Sequence, residues 1–217
     1  MPRALIVWGG WEGHRPAEMA AAVSALLVAE GYETVVTPDF AALGGPDLGR
    51  FDLVVPLITN ATVENEVIKR LAAAVRGGLG LGGPHLPATA FRSSVDYQFL
   101  LGAQWVAHPG GIVDFRVDIT RPDDPVMHGI VGFAYRSEQY YLHYDPSIEV
   151  LATTTFDGAH DPVTRGVTMP VVYKRHFGAG RIFYSALGHS PEEFSHPEGH
   201  KILLRGLIWA SRTGKIA

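Results

Sequence analysis

Short apolar runs alternate with helix-length stretches through the first half of the chain, and this alternation restricts the fold more than any other feature. Arg3-Ala-Leu-Ile-Val-Trp8 is a continuous apolar run closed by Gly9-Gly10, the pattern of a strand buried on both faces of a parallel sheet. Pro16 opens a helical stretch to about residue 30, with apolar positions at Met19, Val23, Leu26 and Leu27. Proline suits the first helical turn because its missing N–H would go unpaired there, and Gly31 ends the stretch. Residues 33–37 and 52–57 read as the next strands. Residues 62–76 read as a second helix stopped by Gly77-Gly78, and residues 79–83 as a glycine-rich fourth strand. Strands alternating with helices predict βαβ units and a parallel sheet, with right-handed crossovers that put helices on both faces.

The second half changes style. Residues 113–120 alternate Val113, Phe115, Val117 and Ile119 against Asp114, Arg116, Asp118 and Thr120, the period of a half-exposed antiparallel strand. Residues 148–154, 170–176 and 181–186 are further strands, the last two flanking a hairpin turn at Gly178-Ala179-Gly180. A closing helix over 198–211 carries Leu203, Leu204, Leu207, Ile208 and Trp209. No repeat, low-complexity tract or domain break interrupts the pattern, so residues 1–217 are expected to form one domain.

Composition narrows function by exclusion. There is no cysteine, which removes a disulfide scaffold, a thiol nucleophile and a thiolate metal site together. A chain of 217 residues buries roughly 70% of its unfolded surface and needs no such staple. Eighteen basic against 22 acidic residues give a net charge of −4 with no basic run, the opposite of a nucleic-acid footprint. The short apolar start is unlike a signal peptide, and no apolar stretch approaches the ~20 residues that span a bilayer. The expectation is a soluble, cytoplasmic protein without nucleic-acid or membrane partners.

In an open α/β sheet, ligands bind beyond the carboxyl ends of the strands. Three loops there each place a histidine just after a strand end: His14 in Gly9-Gly10-Trp11-Glu12-Gly13-His14, His85 in Gly82-Gly83-Pro84-His85, and His189 in Gly188-His189-Ser190-Pro191-Glu192-Glu193-Phe194. For each alone, a loop histidine bonded to backbone is an equal reading. Imidazole transfers protons near neutral pH and ligates metals, and a neighbouring carboxylate would orient it. Glu138 is the leading carboxylate. It lies in Arg136-Ser137-Glu138-Gln139-Tyr140-Tyr141-Leu142-His143, a polar aromatic stretch without a clean period. Such a stretch suits a pocket wall; the competing reading is a partly buried strand edge.

Other signals are weaker. Gly78-Leu-Gly80-Leu-Gly82-Gly83 contains G-x-G-x-x-G but follows a helix, which speaks against a dinucleotide site. His196 and His200 read as an exposed pair, and Asp123-Asp124-Pro125 as a turn. Ser185 lacks a nucleophile-elbow context. His108, His128, His160 and His176 read as structural or surface residues.

Several of these segments together resemble one family. Gly9-Gly10-x-x-Gly13-His14, Glu138-Gln-Tyr-Tyr-x-His143, Met169-Pro-Val-Val, Gly180-Arg-x-Phe-Tyr-Ser-Ala-Leu-Gly-His189 and Arg205-Gly-x-x-Trp209-Ala are similar to the trehalose-utilisation (ThuA-like) family over nearly the whole chain. The resemblance implies a class I glutamine-amidotransferase-like fold: a flavodoxin-like three-layer α/β sandwich, its sheet mostly parallel, with additional antiparallel strands in the second half. It also implies a role in disaccharide catabolism, on sugars oxidised to the 3-keto form by a partner dehydrogenase. True amidotransferases carry a cysteine on the turn where this chain has Gly82-Gly83-Pro84-His85. Without a thiolate, glutaminase chemistry is excluded. That turn is expected to offer Gly82 and Gly83 N–H groups to a developing oxyanion.

The enzyme reading that follows is acid–base chemistry on a keto-sugar. His189 and Glu138 are the expected acid and base, and His14 the oxyanion partner or a second base. His85 and His143 orient them or the sugar, and Trp11, Tyr140, Tyr141 and Phe194 pack on the ring. A divalent metal held by some of the histidines and Glu138 would do the same electrophilic work; the sequence leaves both versions open. The alternative is a sugar-binding or regulatory module that kept the fold without the chemistry. Aromatic content near Trp105 and Tyr140 suits either a pocket or the face of a homo-oligomer.

Overall fold

The structure, a computed structural model, describes residues 1–214; the last three residues of the expected domain lie outside them. The parallel half follows the sequence pattern. Strand β1 (Arg3–Gly10) leads through a turn of 3-10 helix to α1 (Pro16–Ala29), then β2 (Glu33–Thr37), β3 (Leu53–Thr59), α2 (Asn65–Arg76) and β4 (Gly80–Pro84). A short helix α3 (Val95–Leu101) and strand β5 (Ala103–Ala107) precede the antiparallel half. That half comprises β6 (Ile112–Ile119), β7 (Phe133–Glu138), β8 (Tyr141–Tyr144), β9 (Glu149–Thr155), β10 (Thr168–Phe177), β11 (Gly180–Ser185) and α4 (Pro197–Ala210).

The main sheet has the order β2-β1-β3-β4-β11-β10-β9-β6-β7, and β5 pairs with β8 in a separate ribbon. Pairing is parallel from β2 through β11 and antiparallel beyond it. β11 therefore belongs to both halves, parallel to β4 and hairpinned to β10 through Gly178-Ala179. The flavodoxin-like α/β sandwich expected from the sequence is the fold observed. β3 is buried at every position, as its unbroken apolar run requires of a central strand.

Helices cover both faces. A Cβ built on Gly82 would meet Leu207 of α4, whereas one on Gly180 would meet Val75 of α2. Where α4 crosses β11 the fit is closer still: a Cβ on Gly206 would come 2.1 Å from the Phe183 ring. Among the described residues, no helix is long and apolar enough to cross a membrane.

Four elements were not foreseen. α3 is only two turns long, capped by the Ser94 side chain, which accepts from the Tyr97 N–H. β5 and β8 are short and pair only with each other. β7 escapes detection because its alternation fails: Tyr135, Ser137 and Glu138 are all buried while Arg136 is exposed, since its last residues turn inward to a polar site. The strand-edge reading of this segment is thus correct for residues 133–138, and the pocket-wall reading for Glu138 and Tyr140.

Candidate functional site

The parallel strands β1, β3, β4 and β11 all end on one rim, and the chain after each supplies a side chain to it. His14 closes the short 3-10 turn Glu12–His14 after β1. Thr59 ends β3 and Asn60 follows it, His85 follows β4, and His189 follows β11. Glu138 arrives from the far edge. Beyond β7 the chain crosses toward β8 over β9 and β10, with the Gln139 amide donating to Thr154 Oγ1 and the Leu142 N–H reaching Met169 Sδ. This crossing lays Glu138 and Tyr140 against His85.

His14, His85, Glu138 and His189 each offer one ligand atom, and these atoms all lie within 4.8 Å of one another. The three imidazoles stand nearly perpendicular to each other, with centroids 4.9–5.1 Å apart. Two of the rings, His85 and His14, are also held from behind. His85 Nδ1 lies 2.9 Å from the Ala186 carbonyl, which only accepts, so Nδ1 carries a proton and Nε2 points inward. Tyr140 Oη lies 2.5 Å from that Nε2, Glu138 Oε2 3.2 Å and His189 Nδ1 3.3 Å. His14 Nδ1 meets Thr59 Oγ1 at 2.7 Å; Thr89 Oγ1 stands 3.3 Å behind it and donates to the Leu86 carbonyl. Rings held from behind, with free nitrogens aimed at a common point, are how proteins prepare histidines for a cation.

His85 pays a backbone cost for its place. Its φ and ψ are 50° and −69°, a sparsely populated combination for a residue with a Cβ. Strain of this kind is found where function demands it.

Electrostatics separates the four groups. Burial, reinforced by the neighbouring His85 and His189, pushes the His14 pKa down to about 3, so His14 is neutral. Burial lowers His189, but the Glu138 hydrogen bond and charge outweigh it and raise the net pKa. Burial opposes ionisation of Glu138, yet hydrogen bonds from His189 and His85 prevail and hold its carboxyl far below the usual range. Burial, with Tyr184 and Glu138 nearby, pushes Tyr140 well above the usual phenol value, so its hydroxyl stays protonated. The site therefore carries a carboxylate at Glu138, a neutral imidazole at His14 and an imidazole favouring the protonated form at His189.

Above this floor opens a cavity of about 260 Å³ lined by Trp11, His14, Thr59, Asn60, Thr89, Trp105, His108, Glu138 and Tyr140. Trp11 is half exposed at its mouth. Trp105 and His108 stack at 5.3 Å to form one wall.

Of the residues singled out in the sequence, His14, His85, Glu138 and His189 meet, and Trp11 and Tyr140 join them. Tyr141, His143 and Phe194 do not. Along β8 the side chains alternate, so the step that turns Tyr140 and Leu142 inward turns Tyr141 toward Phe156 and His143 to solvent opposite Gln104. Phe194 packs behind the His189 loop, against Gly188 and Leu203. The expected oxyanion turn is also corrected. Gly82 and Gly83 pair with Phe183 and Tyr184 inside the ladder, and the His85 N–H donates to the Ser185 carbonyl at 2.6 Å.

His108, read from sequence as structural or surface, lines the cavity with Nε2 3.7 Å from Glu138 Oε1. It too follows a strand end, that of β5; the rule that marked the other histidines would have found it had β5 been recognised. His196 and His200 are not a free pair, since each ring lies against a backbone carbonyl, of Ala134 and Phe194 respectively.

With the geometry in place, comparison with known proteins is informative. Residues 3–210 match the family described as ThuA, trehalose utilisation. Among solved structures, a ThuA-like protein of Parabacteroides merdae superposes with a TM-score of 0.81 at 18% identity, covering 100% of this chain and 92% of that one. A ThuA-like protein of Bacteroides uniformis gives 0.76 at 16%, covering 99% and 94%. The same fold recurs within a much longer β-galactosidase of Bacillus circulans, at 0.60 and 14% identity, covering 96% of this chain and 30% of that one. No curated protein sequence matches the chain.

Proposed function

The chain belongs to the ThuA family of trehalose utilisation, which places it in carbohydrate metabolism, and we propose that its cavity performs acid–base chemistry on a keto-sugar, assisted by a divalent cation. The observation that carries this reading is the convergence of three imidazoles, two of them held from behind, and one carboxylate within 4.8 Å. Nitrogen-rich donor sets of this kind suit zinc and its first-row neighbours. His14, His85, His189 and Glu138 fit such an ion: His85 Nε2 and His189 Nδ1 both converge on Glu138 Oε2, at 3.2 and 3.4 Å, and His14 brings its ligand atom into the same cluster. When bound, the cation polarises a substrate carbonyl.

The protein's own groups account for the rest. A cavity of about 260 Å³ lies at the small end of ligand sites and holds a single sugar ring. Trp11 and the Trp105–His108 stack face the ring, while the Asn60 carboxamide and the Thr59 and Thr89 hydroxyls lie within the lining to meet hydroxyl groups. A carbonyl acidifies the adjacent C–H. Glu138 Oε1, turned toward His108 and away from the cluster, takes that proton; the C–H electrons move into the carbon–carbon bond and the carbonyl oxygen becomes an enediolate oxygen. Return of the proton to the former carbonyl carbon, with the adjacent hydroxyl proton passing to the enediolate oxygen, moves the carbonyl and isomerises the sugar. Loss of a β-glycosidic group, protonated as it leaves, eliminates instead.

The test is incubation with a panel of 3-oxidised disaccharides in D₂O, with and without chelator, followed by NMR. The reading expects deuterium beside the carbonyl, suppressed by chelator and by Glu138→Gln. Tight sugar binding with neither exchange nor product overturns it in favour of a binding module.

A further inference from the structure

A carboxylate outside the cluster holds the two halves of the site together. Glu193 lies in the Pro191–Ser195 turn between β11 and α4. Its Oε2 accepts from the backbone N–H groups of Gly188 and His189, at 3.1 Å each, and from Tyr135 Oη at 3.0 Å. Its Oε1 accepts from Ser137 Oγ at 3.0 Å. Two donors thus belong to the loop that carries His189, and two belong to β7, whose last residue is Glu138. Four donors meet one carboxylate, three of them at Oε2, and each bond is charge-assisted.

The sheet gives this arrangement its importance. β7 is an edge strand, separated from β11 by β10, β9 and β6, so no ladder bond sets the end of β7 against the His189 loop. Gly188 has a φ of 91°, a value that glycine adopts without strain, and in this conformation both it and His189 direct N–H groups at one oxygen. A Cβ on Gly188 would also come 2.9 Å from the Phe194 ring and 3.1 Å from Pro84. Glu193 neither lines the cavity nor belongs to the four ligand candidates.

We propose that Glu193 is the positioning residue that fixes the spacing of Glu138 and His189, 3.4 Å apart, and through it the affinity of the site for a cation. The cation half of this statement rests on the function proposed above; the spacing half does not. Glutamine at 193 keeps an oxygen for the two backbone N–H groups and turns its NH₂ toward Ser137 Oγ, which can accept. Alanine keeps neither side, and the pair Tyr135→Phe with Ser137→Ala releases only β7.

The experiment titrates the full chain with Co²⁺, reading its visible absorption at a temperature well below the unfolding of each variant, and measures amide exchange at Gly188 and His189. His189→Ala should abolish the wild-type absorption band. Glu193→Ala should weaken Co²⁺ binding by roughly 10- to 100-fold, as loss of an outer partner does, with a changed spectrum. The Tyr135/Ser137 double variant should follow it, and Glu193→Gln should stay near wild type. Amides of Gly188 and His189 should exchange faster in Glu193→Ala. A merely structural glutamate would lower thermal stability but leave affinity and spectrum unchanged below the transition, and that result overturns the proposal. If the wild type itself shows no Co²⁺ site, the cation reading fails alone. Exchange then decides the tether: faster exchange in Glu193→Ala, or in the double variant should the alanine protein not fold, supports it, and unchanged exchange ends it.

Discussion

Replacing His85 by alanine and by glycine should give an inverted order of stability, with glycine the better residue. Both variants remove a fully buried ring. Both strip the Ala186 carbonyl and the Tyr140 hydroxyl of a partner, at about 1–3 kcal/mol for each buried orphan. With the lost packing against Tyr140, 4.1 Å away, His85→Ala should cost about 3–5 kcal/mol in total. In a chain of this size each kcal/mol lowers the melting temperature by roughly 2–4 °C, so the fall is roughly 6–20 °C. The backbone separates the two variants. Alanine keeps a Cβ at φ 50°, ψ −69° and so keeps strain of about 1–3 kcal/mol. Glycine loses that strain but gives back about 0.5–1 kcal/mol to its freer unfolded chain. The glycine variant should therefore be more stable by about 1 kcal/mol, or roughly 2–4 °C. Denaturant unfolding of the two variants side by side, checked by thermal melts, measures the difference. An alanine variant as stable as the glycine variant, or more so, would show that position 85 stores no backbone strain.

Further expectations concern the site and its frame. Zn²⁺ at about 100 times its dissociation constant should stabilise the wild type by about 2.7 kcal/mol, read as a melting-temperature rise of roughly 5–10 °C, and this rise should be largely lost in His189→Ala. Trp105→Ala removes a wall of the cavity and the ring on which His108 stacks; steady-state kinetics should show KM raised more than kcat is lowered. His143→Ala should leave turnover unchanged and stability within about 0.5 kcal/mol, because that ring faces solvent on the β5–β8 ribbon. Gly206→Ala forces a methyl group against Phe183 and should cost about 1–3 kcal/mol in denaturant titration without altering Zn²⁺ affinity.

The parallel half was legible because each of its strands declares itself alone. β1 and β3 are continuous apolar runs, and Pro16, Gly31 and Gly77 mark helix ends by chemistry that acts within a few residues. β6 was legible because one of its faces is wetter than the other. β7 was not, because Ser137 and Glu138 are buried by partners far away in sequence, and no local period records that. The same rule, a histidine after a strand end, found His14, His85 and His189 and missed His108, whose strand pairs only with β8. Tyr140 was separable from Tyr141 only by the pleat of a strand that the sequence did not reveal. Glu193 carried no signal at all: its four partners come from two regions that the chain alone does not bring together.

The floor of the cavity draws its imidazoles from the ends of β1, β4 and β11 and its carboxylate from the end of β7, each at a different depth in the chain. No contiguous fragment contains a working set. A protein cut between β4 and β6 would yield one piece with two imidazoles and another with a carboxylate and the third. Neither piece alone would be reactive, and mixing them would restore chemistry only as far as β4 and β11 found each other again. The floor of the cavity is thus complete only once that single parallel seam has closed.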